Sequence, residues 1–307
     1  MTVTGTRGPV VVGVDYSKAG AAAVSRGAWE AERRGVSLRL VHGFVASEPD
    51  DVLPGPPYDD NELLIAAEER LSEIATTEVS SVFPGVTVTT RVVAGSGGLA
   101  LVNESADAGL VVVGARGNGG FDGLLLGSVA AQVSRHSRCP VIVVRPGRER
   151  GHGPVLVGVD GSPSSADALE FGFEEAAARG ERLVAVHVWS VPALAARTTG
   201  TVWSPRPRSA RAQLDDAGGA VLDVALAGWQ QKYPQVEVER FSTHGDEPAR
   251  TLLEVAQAVG AELVVAGSRP RDGSTPVLGS VSQALVEHAR MSVAVIDPER
   301  IPVGSVS

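Results

Sequence analysis

Residues 9–20 read "PVVVGVDYSKAG", and residues 154–165 read "PVLVGVDGSPSS". The stretches lie 145 positions apart and share a proline, a Val-rich run, a glycine and a closing aspartate, Asp15 in one and Asp160 in the other. Working outward, the likeness continues in the same order. "LRLVHGF" (38–44) returns as "LVAVHVW" (183–189), and "ADAGLVVVGAR" (106–116) as "VGAELVVAGSR" (259–269). "LLGSVAAQVSRHSRCPVIVV" (125–144) returns as "VLGSVSQALVEHARMSVAVI" (277–296). Self-similarity at one long period marks a tandem duplication. The reading that follows is a first domain over residues 1–147, a second over 153–298, a linker at 148–152 within the Gly-, Pro- and charge-rich "PGRERGHG", and a tail at 299–307.

Within each repeat the apolar runs are short, rich in Val and bounded by glycine, as strands buried on both faces should be. Longer stretches with helical spacing lie between them. One is "SKAGAAAVSRGAWEAERRG" (17–35), which closes on Gly35 as a helix C-terminus does. The pattern predicts strands near 10–14, 36–43, 86–93, 110–114 and 140–144, with helices near 17–34, 61–82, 97–108 and 127–137. In the second half it predicts strands near 154–159, 181–188, 236–242, 262–266 and 292–296. Alternating strands and helices argue an α/β fold with one doubly wound parallel sheet per repeat. The Pro-rich segments 46–60 and 190–208 follow the second strands and read as loops that cover a site.

Composition removes several function classes. With 43% hydrophobic and 21% charged residues the chain is globular in character. A net charge of −9 and the lack of a Lys/Arg stripe argue against a nucleic-acid surface. No run approaches the roughly 20 apolar residues of a membrane span, and the N-terminus does not read as a secretory signal. The expected location is cytoplasmic. The one cysteine, Cys139, makes no internal disulfide, and before Pro140 it reads as a small buried residue at a strand start. The basic residues are almost all arginine, with Lys18 and Lys232 the exceptions, which reads as codon bias.

The stretch "GARGNGGFDGLLLGS" (114–128) sets six glycines directly behind the apolar run 110–113. In an open parallel sheet ligands bind beyond the carboxyl ends of strands, where the strand order reverses. Glycines there let the backbone adopt positive φ and bring N–H groups to an anion, and a helix starting near Gly127 and Ser128 adds unpaired amides and a positive dipole end. Phosphate is the expected guest, with Ser128 a better hydroxyl donor than Ser134, which lies farther into the helix. The chain has no Gly-Lys pair, so a Walker-type loop is excluded, and the Rossmann GxGxxG fails because Asp122 occupies its last glycine position.

What stands there is Gly114, two residues, Gly117, nine residues, Gly127, Ser128. This spacing, together with "GVD" at the first strand's end and "CPVIVV" in the last strand, resembles the ATP-binding signature of the universal stress protein family. The resemblance covers nearly the whole chain twice, and so is similar to the family's tandem-domain members. It implies flavodoxin-like (Rossmann-like) sheets of strand order 3-2-1-4-5, binding ATP, with Mg²⁺ as an optional companion. Asp15, with Val14 before it, would take the ribose or adenine side, and Val41 would meet adenine through its backbone. Gly114 and Gly117 would line the ribose and phosphate turn, and Gly127, Ser128 and Val129 would hold the phosphates. In the family the fifth strands pair across a two-fold interface. "PVIVV" and "SVAVI" would then form an intrachain pseudo-dimer, and two chains a homodimer.

The second repeat departs from the pattern in "GSRPRDGSTPVLGS" (267–280). Pro270 replaces the second glycine, removing an N–H and fixing φ, and the following gap is eight residues. Asp160, Val186, Gly267, Gly279, Ser280 and Ser282 remain, so this half is expected to bind nucleotide weakly or not at all and to serve as a partner domain.

Plainer readings stand beside these. Asp15 and Asp160 suit helix N-caps. His42 and His187 read as packing or hydrogen-bonding residues, and His136, His244 and His288 have no partner pattern. No His/Cys pair has zinc spacing. "AGSGGLA" (94–100) lacks the Asp-Ser end of a pyrophosphatase loop, and no GxSxG elbow occurs. Arg116 and Arg269 read as solvated arginines. Asp122 has two readings, a partner for nucleotide-bound Mg²⁺ or a loop former. Together these favour a nucleotide-binding stress or regulatory switch without catalytic residues; the alternatives are a slow Mg²⁺-dependent ATPase or nucleotide hydrolase, and an interaction scaffold that has lost its ligand.

Overall fold

In the computed structural model the repeated Val-rich runs become the central strands. Residues 8–44, 60–117, 126–146, 152–190, 208–268 and 278–296 are described. The first half runs β1 (Val10–Gly13), α1 (Lys18–Arg34), β2 (Leu38–Phe44), α2 (Asp60–Ile74), β3 (Val88–Ala94), α3 (Gly97–Glu104), β4 (Leu110–Gly114), α4 (Ser128–His136) and β5 (Val141–Val144). The second half runs β6 (Val155–Gly158), α5 (Pro163–Arg179), β7 (Leu183–Trp189), α6 (Arg208–Leu226), α7 (Trp229–Lys232), β8 (Val238–His244), α8 (Pro248–Ala258), β9 (Leu263–Gly267), α9 (Ser280–His288) and β10 (Ser292–Ile296).

Each half has strand order 3-2-1-4-5 with parallel pairing, and the halves run on into one ten-stranded sheet, β3-β2-β1-β4-β5-β10-β9-β6-β7-β8. The seam is antiparallel, with Val141, Ile142 and Val143 opposite Val295, Ala294 and Val293. All six are buried, so alternate residues of the seam feed the apolar cores on the two faces of the sheet.

The helices start and stop where the sequence says. Ser17 caps α1 by accepting from the Gly20 N–H at 3.0 Å, and Gly35 ends it at φ 64. Ser162 and Gly180 repeat the arrangement around α5. Two expectations shift. The helix expected over 97–108 stops at Glu104, where the Ser105 hydroxyl donates to the Val102 carbonyl and accepts from the Arg138 N–H, tying the chain into a turn. The helix expected over 61–82 is α2 followed by a π-helical turn, Ala75–Ser80. There the hydroxyls of Thr76, Thr77 and Ser81 donate to carbonyls four residues back and Ser80 to one five back, competing with the helical N–H donors.

The halves also meet through α1 and α5. Glu30 and Glu175 occupy equivalent repeat positions and are both fully buried. Arg26, Arg33 and Arg34 each bridge them, Arg26 at 2.5 Å to both, Arg33 at 2.7 Å to both and Arg34 at 3.0 Å to Glu30 and 4.0 Å to Glu175, and Arg179 adds a contact to Glu175. The Trp29 ring lies against the guanidinium groups of Arg26, Arg33 and Arg179. Although burial works to raise it, the carboxyl of Glu30 is held well below its ordinary value by Arg26, Arg33 and Arg34. Such a network fixes how two halves sit more than it adds stability.

Candidate functional site

The carboxyl ends of β1, β2 and β4 meet the N-termini of α3 and α4 around a cavity of about 600 Å³. Val14, Asp15, Val41, Gly114, Gly117, Gly127, Ser128 and Val129 all line it. These are the eight positions read from the first repeat, and the fold brings every one to the same space. Gly13, Gly43, Gly97 and Arg116 line it too.

Asp15 is placed by a two-residue turn. Its Oδ1 accepts from the Ser17 N–H at 3.1 Å and from the Ser17 hydroxyl at 2.6 Å. The helix cap is therefore Ser17, and Asp15 is the residue that orients it. Asp160 does the same for Ser162, at 3.0 and 2.5 Å. The capping reading of the two aspartates is corrected accordingly: a carboxylate one turn outside the helix holds the capping hydroxyl, which leaves the aspartate on the cavity wall.

Among the described glycines of the loop, Gly114 and Gly117 are needed for a different reason from the expected one. Gly114, Gly117 and Gly127 are all absent from the positive-φ residues. What they provide is close approach. A Cβ on Gly114 would lie 2.7 Å from the Ala19 carbonyl carbon, and one on Gly117 would collide with Asp15 Oδ2. Gly127 is different: a Cβ there would meet nothing nearer than 3.5 Å, so the fold itself tolerates a side chain. Gly127 is the N-cap of α4 and supplies no side chain to cap it. Its own N–H donates to the Ala115 carbonyl at 2.7 Å. The following amides of the first turn have no intrahelical acceptor, and they open on the cavity with the positive end of the helix dipole.

Val41 is buried and lines the cavity, and its carbonyl, part of the backbone read as meeting adenine, already accepts from the Val14 N–H at 2.9 Å. His42 Nδ1 lies 2.7 Å from the Val14 carbonyl, which makes Nδ1 the protonated nitrogen; His187 repeats the bond to Val159. The histidines are structural hydrogen-bonding residues of the strand ends. Cys139 is buried before β5. Burial and the nearby Arg116 charge lower the Arg145 guanidinium to about 10, and its Nη2 donates to the Val286 carbonyl at 2.8 Å.

The second half has a corresponding cavity of about 340 Å³, lined by Asp160, Val186, Gly267, Gly279, Ser280 and Ser282 among others. Several positions around it carry larger residues than their counterparts in the first half. Gly43 and Gly97, whose backbones touch in the first half, become Val188 and Pro248. Ala19, Gly20 and Ala130 become Ser164, Ser165 and Ser282, and Ser282 donates its hydroxyl to the Gly267 carbonyl at 2.7 Å. Sequence reasoning passed over Gly43 and Gly97, although the repeat comparison showed the signal: a glycine at each position in one half only. Asp122, Arg269, Pro270, most of the 148–152 linker, the 46–60 and 190–208 loops apart from their ends, and the 299–307 tail lie outside the described residues.

A family model described as the universal stress protein family matches residues 6–145 and again 152–297. The chain belongs to the universal stress protein family. A universal stress protein of Mycobacterium tuberculosis is 37% identical over 319 residues, covering 95% of both chains. One of Mycolicibacterium smegmatis is 34% identical over 313 residues, covering 97% of this chain and 100% of that one. In solved structures, a universal stress protein from Archaeoglobus fulgidus superposes with a TM-score of 0.65 at 20% identity, covering 95% of this chain and 97% of that one, and so shares the fold. The family match falls on both repeats, and the alignments cover 95% and 100% of these two relatives. Among the described residues of this universal stress protein, no cluster of three or more His, Cys, Asp or Glu is placed to hold a metal ion, and no helix is long and apolar enough to cross a membrane.

Proposed function

We propose that the protein is a nucleotide-dependent regulatory switch that binds an adenine nucleotide, ATP in the first instance, in its first half. The observation that carries this reading is the convergence of Asp15, Val41, Gly114, Gly117, Gly127, Ser128 and Val129 on one cavity of nucleotide size. A carboxylate at one end suits ribose hydroxyls. Apolar lining at Val41 suits a purine face, and uncapped amides at the start of α4 suit phosphate oxygens. Mg²⁺, where present, would arrive with the phosphates. The second half, with a smaller cavity and Pro270 in its loop, is the partner domain. The β5–β10 seam is the intrachain counterpart of a subunit interface, and a homodimer would place such pairs side by side.

The switch reading is distinguished from an ATPase by what happens to bound ATP. Titration with ATP should give saturable binding in the wild type that Gly117→Ala weakens at least about tenfold, or ~1.4 kcal/mol. Incubation of the saturated protein with Mg²⁺ should return ATP intact. Steady turnover that disappears with Asp15→Ala and Gly117→Ala would make the protein a hydrolase.

A further inference from the structure

The residue after the cavity aspartate differs between the repeats: Tyr16 in the first half and Gly161 in the second. Both have left-handed backbone, φ 60 and φ 79 respectively. Tyr16 is the one non-glycine residue at positive φ among those described. In that conformation an L side chain crowds its own backbone, so the surrounding structure must hold it there.

The holders are identifiable. The Tyr16 ring lies 4.8 Å from the His42 ring and 4.1 Å from the Arg70 guanidinium. Its hydroxyl donates to the Ala67 carbonyl at 3.2 Å. Ala67 and Arg70 belong to α2. His42 is bonded to the Val14 carbonyl, one residue before Asp15. Tyr16 is thus clamped between α2 and the strand end that carries the cavity aspartate. A second cavity of about 250 Å³, lined by Tyr16, Arg70, Glu73 and Thr77, shares Val14 with the first and gives the ring somewhere to go.

We propose that Tyr16 is a positioning residue coupling occupancy of the first-half cavity to α2 and the π-helical turn behind it. The inference rests on the nucleotide reading above. With the ring clamped, the left-handed backbone keeps Asp15 turned toward Gly117, in the state that takes ligand. With the backbone relaxed, the ring moves into the second cavity, releases Ala67 and draws Asp15 off the wall. A ligand on Asp15 favours the clamped state and so tightens α2; by linkage, docking of α2 raises ligand affinity. In the second half Gly161 takes the same conformation without strain or ring, so events there do not reach α6.

The test is amide hydrogen exchange of the full chain with and without saturating ATP, for wild type, Tyr16→Phe and Tyr16→Gly. In the wild type ATP should slow exchange about fivefold or more over residues 60–80 as well as at 126–130. Tyr16→Phe, which keeps the ring, should retain most of the effect. Tyr16→Gly should keep the slowing at 126–130 and lose it over 60–80. Equal slowing over 60–80 in Tyr16→Gly overturns the coupling, as does none there in wild type while 126–130 is protected. Absence of any ATP effect anywhere in the wild type overturns the nucleotide reading and the coupling with it.

Discussion

The two halves share one strand order, the same aspartate-to-serine turn and the same histidine bond, yet one encloses about 600 Å³ and the other about 340 Å³. The scaffold was retained while the space was filled. Each filling is a glycine or alanine in the first half exchanged for a larger residue in the second: Gly43 for Val188, Gly97 for Pro248, Ala130 for Ser282. Strand pairing depends on the buried Val and Leu positions, which both halves keep, whereas the cavity depends on missing side chains. A duplicated fold can therefore change a cavity while keeping its sheet.

The largest effect should come from attacking what the halves hold in common. Glu175→Ala would leave Arg26 and Arg33 sharing Glu30 alone in a buried joint, and removing one partner of such a network costs about 3–5 kcal/mol. Urea denaturation should show the midpoint fall for both halves together, since they form one sheet; independent unfolding of the second half alone would contradict the joint. Gly117→Ala acts on one half only. A Cβ there displaces the Asp15 carboxylate, a movable group, so ATP affinity should drop at least about tenfold, ~1.4 kcal/mol, with the melting temperature nearly unchanged. The matching gain is smaller. Val188→Gly with Pro248→Gly reopens the second cavity but leaves Pro270, so any residual binding in that half should tighten by less than about tenfold, as calorimetric titration would show.

The smallest effect concerns pH. Burial and the charge of Glu30 push the Glu175 carboxyl up to about 7, against the pull of Arg26, Arg33 and Arg34. Between that value and the ordinary carboxylate range the folded chain holds a proton that the unfolded chain does not, so on this group's account stability rises as pH falls through 7. Glu30, held low, contributes stability above its ordinary value of 4.5 that is lost only in stronger acid. Melting curves should show a rise from pH 8 down toward 4.5 and a fall in stronger acid, with the rise absent in Glu175→Gln.

Much of this was legible in the sequence because it depends on local pattern. Val-rich runs such as Val10–Gly13 and its repeat Val155–Gly158 announce buried parallel strands, and Ser17 with Gly35 brackets α1 as Ser162 with Gly180 brackets α5. The residues of the gapped glycine motif line one cavity because strand ends and helix starts are fixed by the same order of elements. What was not legible depends on contact between distant segments. The role of Gly114 lies in its approach to Ala19, and that of Gly117 in its approach to Asp15, which no φ preference encodes. Arg26 and Glu175 are 149 residues apart, and their bond exists because α1 and α5 share a sheet face. The π-helical turn after α2 required knowing which carbonyls the Thr and Ser hydroxyls reach.

The central claim is that one half holds nucleotide and the other does not. Mass spectrometry of what is released when the purified, ATP-equilibrated and desalted protein is denatured measures it directly. The account predicts close to one adenine nucleotide per chain for the wild type and close to none for Gly117→Ala. Two per chain would show that the second half kept its site despite Pro270 and the smaller cavity; none in the wild type would contradict the claim outright.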